Sequence, residues 1–166
     1  MKLKNSTNKI RDLSLEIDKL RIPNHIAVIM DGNGRWGVNK GLTRSHGHNK
    51  GVSVLKNIIK FSKKIGVKVL TVYAFSTENW TRPHEEVNFL LNLFEKVIEK
   101  EINELNKESI RINFIGDLSP FSKDLRKKFI DAEDLTLHNN KFILNVCTNY
   151  GGRQELVNVA KELARK

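Results

Sequence analysis

From Pro23 onward the apolar residues of this chain switch between two periods, and that alternation limits the fold more than any other feature. Ile26 to Met30 is a short run of strand type, after which Val52, Leu55, Ile58, Ile59 and Ile65 trace one helical face that stops before Gly66. Val67 to Phe75 returns to strand character, rich in Val, Leu and aromatics. Pro83 then opens a helix in which Val87, Leu90, Leu91, Phe94, Val97, Ile98, Ile102 and Leu105 form one stripe. At a rise of 1.5 Å per residue, its roughly 24 residues extend about 36 Å. Ile110 to Ile115 reads as a third strand, a helix follows from about Ser122, and Phe142 to Cys147 is a fourth strand. A last helix carries Leu156, Val157, Ala160 and Leu163. Strict β and α alternation predicts an α/β fold, a mainly parallel sheet with right-handed crossovers and flanking helices.

A length of 166 residues suits one domain, expected over residues 23–166, with residues 1–22 as an N-terminal extension. In that extension Ile10, Leu13, Ile17 and Leu20 recur at helical spacing. Two placements stay open for such a short helix, docked on the domain or lying at the membrane periphery. Asp12, Glu16 and Asp18 argue against a transit peptide. No stretch reaches the roughly 18 apolar residues of a membrane span. Lys and Arg exceed Asp and Glu by ten, a balance that favours acidic ligands. Nucleic acid is not the expected partner, since no recognised motif or aromatic stacking platform accompanies the charge. Cys147 lies inside an apolar strand and reads as core, consistent with a reducing, cytoplasmic setting.

In parallel sheets ligands bind beyond the carboxyl ends of the strands. Three loops predicted at that edge collect the unusual chemistry: Asp31 to Trp36, Ser76 to Arg82, and Thr148 to Arg153. In the first, Gly32 and Gly34 let the backbone turn tightly around an anion and Arg35 adds a forked donor, which suits a phosphate. Asp31 would repel that phosphate unless a divalent cation such as Mg²⁺ lay between them. Taken alone, an ordinary Asp-Gly/Asn-Gly turn explains the same residues equally well. Arg44, His46, His48 and Lys50, with Gly47 and Gly51, add convergent cations at a helix start. A zinc pair at His46 and His48 lacks further ligands, and Lys50 is equally a solvated surface charge. Ser76, Thr77, Glu78, Asn79, Trp80 and Arg82 supply groups that orient a polar ligand, although Glu78 reads equally as a helix cap and Trp80 equally as core. The stripe from Val87 to Leu105 is core by default, and a tunnel wall for an apolar chain has the same pattern.

Together these residues resemble the cis-prenyltransferases, the undecaprenyl diphosphate synthase type of isoprenyl transferase. The likeness runs from about His25 to Leu163 through HIAVIMDGNGRW, the Arg44/His48 segment, LTVYAFSTENWTRP, FIGD and NYGGRQE. Several ordered motifs are far more specific than one glycine loop. The resemblance implies condensation of isopentenyl diphosphate with an allylic prenyl diphosphate to a Z-polyprenyl diphosphate, with Mg²⁺ as cofactor. It implies that Asp31 is the metal-associated catalytic residue and that Gly32, Asn33, Gly34, Arg35, Arg44 and His48 hold the allylic diphosphate. Trp36 would lie beside the prenyl chain. Ser76, Thr77, Glu78, Trp80 and Arg82 match the region for the second substrate. Asn79 matches a position assigned to proton removal, a task for which an amide is a poor base.

The same resemblance implies a further C-terminal segment, carrying arginines and a serine for isopentenyl diphosphate, a glutamate for the metal, and part of a homodimer interface. This sequence ends at Lys166, within the helix after the Asn-Tyr-Gly-Gly-Arg motif. The expectation is therefore a C-terminally truncated member that binds allylic diphosphate weakly and condenses little. The alternative expectation is a non-catalytic prenyl-diphosphate-binding or partner subunit.

Overall fold

The computed structural model describes residues 21–165. The expected helix in the N-terminal extension lies outside them. The predicted alternation is present: strands β1 (His25–Ile29), β2 (Val69–Ser76), β3 (Ile110–Ile115) and β4 (Phe142–Tyr150) form one sheet in the order β1-β2-β4-β3. All three pairings are parallel. Helices α1 (Asn33–Asn39), α2 (Arg44–Lys64), α3 (His84–Lys107), α4 (Lys123–Thr136) and α5 (Gly152–Leu163) connect or follow the strands, with a 3₁₀ turn at Thr77–Thr81.

Local signals explain where the helices begin. The Thr43 side chain accepts from the backbone N–H of His46 at the start of α2, and Ser122 accepts from Leu125 N–H at the start of α4. Pro83 sits just before α3, with Glu85 and Glu86 in the first turn, where negative charge is favoured. Two segments read from the sequence as loops are wound more tightly. Asp31 to Trp36 passes directly into α1, where the Trp36 N–H closes the first turn on the Gly32 carbonyl, and Ser76 to Arg82 encloses the 3₁₀ turn, started by a Ser76–Asn79 capping box.

One face of the sheet is the core. Val72, Ala74, Ile112, Phe114, Leu144 and Val146 point from it toward α2 and α3. An aromatic cluster of Phe75, Phe121 and Phe129, joined by Trp80, Phe94 and Phe114, fills the space beneath α3 and α4. The other face is different. Thr71, Asn145 and Asn113 stand in register across three strands and bond side chain to side chain, Asn113 Nδ2 to Asn145 Oδ1 at 2.9 Å and Asn145 Nδ2 to Thr71 Oγ1 at 3.2 Å. His25 joins the ladder at 2.7 Å from Thr71 Oγ1. On that face Ala27, Ile29, Tyr73 and Ile115 are exposed. Helix α5 forms as expected, yet Leu156, Val157 and Leu163 are exposed.

The seam between α1 and α2 is made of glycine. A Cβ on Gly47 would stand 2.0 Å from the carbonyl oxygen of Asn33, and one on Gly51 would stand 2.6 Å from the Asn33 amide. That contact seats the first turn of α1 beside the carboxyl edge of the sheet. Gly47→Ala is therefore expected to lose about 3 kcal/mol of stability, since the obstacle is backbone that cannot rotate away. Urea denaturation measures the change, and a loss below about 1 kcal/mol would show that the seam is loose.

Candidate functional site

The carboxyl edge of the sheet gathers the predicted loops as the parallel order requires. Asp31 lies on a shallow basin lined by Met30, Asp31, Gly32, Asn33, Gly34, Arg35, Arg44, His48 and Arg82. Gly32 adopts φ +83°, the left-handed turn needed to pass from β1 into α1. Asp31 Oδ1 accepts the Gly32 N–H at 2.6 Å, and Oδ2 accepts from Arg35 Nη2 at 2.9 Å. The backbone N–H of Gly32, then the Arg35 charge, holds the Asp31 carboxyl below the usual carboxylate range. Its side chain is 67% exposed, so the ionised group faces solvent at the rim.

Among the described residues, no three His, Cys, Asp or Glu side chains converge as a metal cage. A single ionised carboxylate on a phosphate-sized basin fits a hard divalent ion that keeps several waters and is shared with phosphate oxygens.

The cations of the basin are organised by a residue that motif reading passed over. Glu86, in the first turn of α3, is only 10% exposed and accepts from three side chains. Arg44 donates from Nε to Oε2 at 2.8 Å and from Nη2 to Oε1 at 3.1 Å. His48 Nε2 lies 3.1 Å from Oε1, and Arg82 Nη1 donates to Oε1 at 3.0 Å. Burial works to raise the Glu86 pKa, but the hydrogen bonds from Arg44 and His48 and the charges of Arg44 and Arg82 prevail and hold it at about 2. Glu86 was detectable in principle, as an acid four residues after Arg82 in the first helical turn. Nothing local linked it to Arg44, which is distant in sequence.

The remaining predicted residues divide by what they touch. The Ser76 N–H donates to Asn79 Oδ1 at 3.2 Å and closes a capping box on the 3₁₀ turn. Asn79 also lines the large cavity described below. Trp80 is held in the aromatic cluster, edge-on to Phe75 at 5.2 Å, and its Nε1 donates to Asn149 Oδ1 at 2.8 Å. Asn149 in turn donates to the Asp117 carbonyl at 2.7 Å, so one amide ties the segments after β2 and β3 to the end of β4. Thr77 packs on Gly151, where a Cβ would meet Thr77 Oγ1 at 2.6 Å. Glu78 is exposed, and its backbone carbonyl accepts from Thr81. Trp36 is 40% exposed on α1 and lines neither cavity. His46 is exposed and apart from the Glu86 cluster. Cys147 is buried, and burial pushes its thiol up, as expected of a core residue.

Beneath the basin an apolar cavity of about 180 Å³ runs between the sheet and helices α2 and α3. Its α3 wall is Leu90, Leu93, Phe94, Val97, Ile98, Ile102 and Leu105, most of the stripe seen in the sequence. Leu91 instead faces the aromatic cluster.

The family model for undecaprenyl diphosphate synthase matches residues 29–166. The chain belongs to this family. An isoprenyl transferase of Prochlorococcus marinus subsp. pastoris is 64% identical over 166 residues, covering 100% of this chain and 60% of that protein. A ditrans,polycis-undecaprenyl-diphosphate synthase of Pasteurella multocida, named as (2E,6E)-farnesyl-diphosphate specific, is 45% identical over 152 residues, covering 92% of this chain and 63% of that protein. Lavandulyl diphosphate synthase from Lavandula x intermedia, solved with dimethylallyl diphosphate, superimposes with a TM-score of 0.84 at 33% identity, covering 91% of this chain and 63% of that one. The chain thus spans about three-fifths of the length of these curated relatives.

Replacing Glu86 by Gln is expected to destabilise the fold by up to about 3 kcal/mol at pH 7, because a carboxylate held near 2 rather than the ordinary 4.5 favours the folded state whenever it is ionised. The depressed value sets the sign. The difference between wild type and Glu86→Gln is full above pH 4.5 and disappears as pH falls toward 2. Denaturant titrations at pH 7, 4 and 2.5 check it, and a pH-independent difference would mean that Glu86 acts by packing.

Proposed function

We propose that this chain forms the allylic-substrate region of an isoprenyl transferase that condenses isopentenyl diphosphate with an allylic prenyl diphosphate, giving a Z-polyprenyl diphosphate. One observation carries the reading: Met30, Asn33, His48 and Arg82 line both the basic basin and the apolar cavity. A ligand that fills both has an anionic head joined directly to a long apolar tail. Nucleotides and sugar phosphates, with polar bodies, do not match the cavity. The farnesyl specificity in the Pasteurella name and the allylic diphosphate bound to lavandulyl diphosphate synthase support the same ligand class.

In this proposal Asp31, Gly32, Asn33, Gly34 and Arg35, with Arg44 and His48, bind the allylic diphosphate. The C1–O bond breaks, and the diphosphate leaves with the electron pair. The isopentenyl double bond attacks C1, and a proton is lost from the new cation to form the Z double bond. Arg35, Arg44 and Arg82 stabilise the charge gathering on the departing diphosphate, usually the largest catalytic contribution in such sites. Asp31 would hold a Mg²⁺ ion, which would supply Lewis-acid neutralisation of the same charge. Ser76, Thr77, Glu78 and Arg82 border the place for the second substrate, and Trp80 buttresses it from the aromatic cluster. Asn79 spends its carbonyl oxygen on the Ser76 N–H, so its Nδ2 hydrogens are the group left to orient a diphosphate oxygen. Each five-carbon unit of the tail gains up to roughly 4 kcal/mol on burial, at ~0.8 per carbon group, before binding costs.

Titration with farnesyl diphosphate and, separately, inorganic pyrophosphate tests the proposal. Farnesyl diphosphate is expected to bind at least about a hundredfold more tightly, because only it reaches the cavity. Equal affinities would remove the tail site from the proposal. Val97→Trp fills the cavity and is expected to weaken farnesyl diphosphate by about tenfold or more while leaving pyrophosphate unchanged. Asn79→Asp keeps the acceptor for Ser76 N–H, and hence the stability, but sets a charge against the diphosphate, weakening both ligands by about tenfold. Incorporation of labelled isopentenyl diphosphate distinguishes a condensing enzyme from a prenyl-diphosphate-binding subunit.

A further inference from the structure

Three residues that stand out in the sequence are left unused by the site: Trp36, His46 and Lys50 line neither the basin nor the apolar cavity. They belong to one unusual stretch. Residues 32–77 hold nine Lys and Arg and no Asp or Glu, and α1 and α2 fall wholly inside it. The later helices mix the signs. On α3, Glu95, Glu99 and Glu104 alternate with Lys96 and Lys100, and on α4 Asp124 and Asp131 stand among Lys123 and Lys127.

Helix α2 divides its cations by direction. Arg44, Lys56 and Lys63 face α3 and are neutralised by Glu86 and Glu101 on that helix and by Glu108 just after it. On the outer side His46, Lys50, Ser53, Asn57, Lys60 and Lys64 recur at steps of four and three residues, and all are exposed. Such spacing puts them in one stripe. From His46 to Lys64 it is about 27 Å long. Lys50, Lys60 and Lys64 make no ion pair among the described residues.

The corner that leads into this stripe is apolar. Trp36, Val38 and Leu42 are 40%, 54% and 43% exposed, with exposed Lys40 among them. Gly37, buried against Thr43 and Gly47, holds α1 beside the first turns of α2, where the stripe begins. A row of lysines without counter-charges repels itself, and an exposed apolar corner orders water around it. One kind of partner relieves both. A bilayer with anionic head groups neutralises the row and takes Trp and aliphatic side chains at the level of its head groups. A nucleic acid would neutralise the lysines but offers Val38 and Leu42 little apolar surface. No described helix is long and apolar enough to cross a membrane, so the contact is one of surfaces.

We propose that the α1–α2 corner and the outer stripe of α2 form a docking surface for an anionic lipid bilayer, with Trp36, Val38 and Leu42 entering the head-group region and Lys50, Lys60 and Lys64 lying along its charge. The inference goes beyond the prenyl-diphosphate reading and stands without it. The first turns of α2 send Arg44 and His48 to Glu86 and the basin but His46 and Lys50 outward, so docking uses none of the basin cations.

Cosedimentation of the 166-residue chain with vesicles tests this. One set is phosphatidylcholine alone, and the other carries about one-third phosphatidylglycerol. The chain is expected to bind the anionic vesicles at least about a hundredfold more tightly, and to lose about tenfold or more of that affinity between about 0.1 M and about 0.5 M salt. Each lysine near such a surface is worth about fivefold, so Lys50→Gln with Lys60→Gln and Lys64→Gln is expected to weaken binding about a hundredfold. Lys123→Gln with Lys127→Gln and Lys161→Gln removes the same charge from helices of mixed sign, and is expected to cost less than about threefold. Vesicle binding is expected to shift tryptophan emission to the blue, and Trp36→Phe to abolish that shift while still binding, because Trp80 is fixed in the aromatic cluster. Equal losses in the two triple variants would reduce the effect to net charge and overturn the surface. Unchanged affinity in the Lys50, Lys60 and Lys64 variant would overturn it as well, and a blue shift that survives Trp36→Phe would remove the corner from it. Binding of a DNA or RNA duplex through the same lysines, with none to anionic vesicles, would assign the face to nucleic acid instead.

Discussion

The site depends on the carboxylate of Glu86. Two guanidiniums, Arg44 from α2 and Arg82 from the segment before α3, would repel one another if they converged beside the His48 ring without a counter-charge. Glu86 supplies that charge from inside the cluster, where little water competes, and so arranges the cations before a ligand arrives. A preformed cluster lowers the ordering cost of binding an anion. Arg44 uses one edge of its guanidinium on Glu86 and is itself half exposed, leaving donors for a ligand.

The basin and the cavity form one elongated site because the first turn of α1 and the start of α2 meet at glycine. Asn33 reaches both spaces only because Gly47 and Gly51 let its backbone and amide lie against α2. At the sheet edge, Asn149 holds Trp80 and the Asp117 segment together, so the 3₁₀ turn bearing Asn79 is fastened to β4. These are small contacts. Their shared effect is that the basic basin and the apolar cavity are held in one frame, with the sheet as floor and α2 and α3 as sides.

The two faces of the sheet differ in kind. The cavity side carries Val72, Leu144 and Ile112, whereas the other carries the ladder of Thr71, Asn145 and Asn113 with exposed apolar residues around it. Parallel sheets are ordinarily covered on both faces. On this face the side-chain amides and hydroxyl satisfy one another across three strands, which helps to hold their register.

Much was determined by the sequence alone: the order of strands and helices, the parallel sheet, the edge on which Asp31, Asn79 and Arg82 lie, and the helix stripe that walls the cavity. These follow from local chemistry, since periodicity and turn residues act over a few positions. The grouping of Arg44, His48 and Arg82 around Glu86 belongs to tertiary structure, because the acid sits on α3 and two of its partners on α2. So does the division among the aromatics. Trp36 and Trp80 both sit in motif segments, yet one is exposed on α1 and the other is locked to Phe75 and Asn149. The Lys56–Glu101 ion pair was equally invisible, as each residue alone reads as an ordinary helix-surface charge. The Asp31 segment was legible as chemistry, but its course directly into α1 and its place above an apolar cavity were decided only when α2 and α3 closed over the sheet.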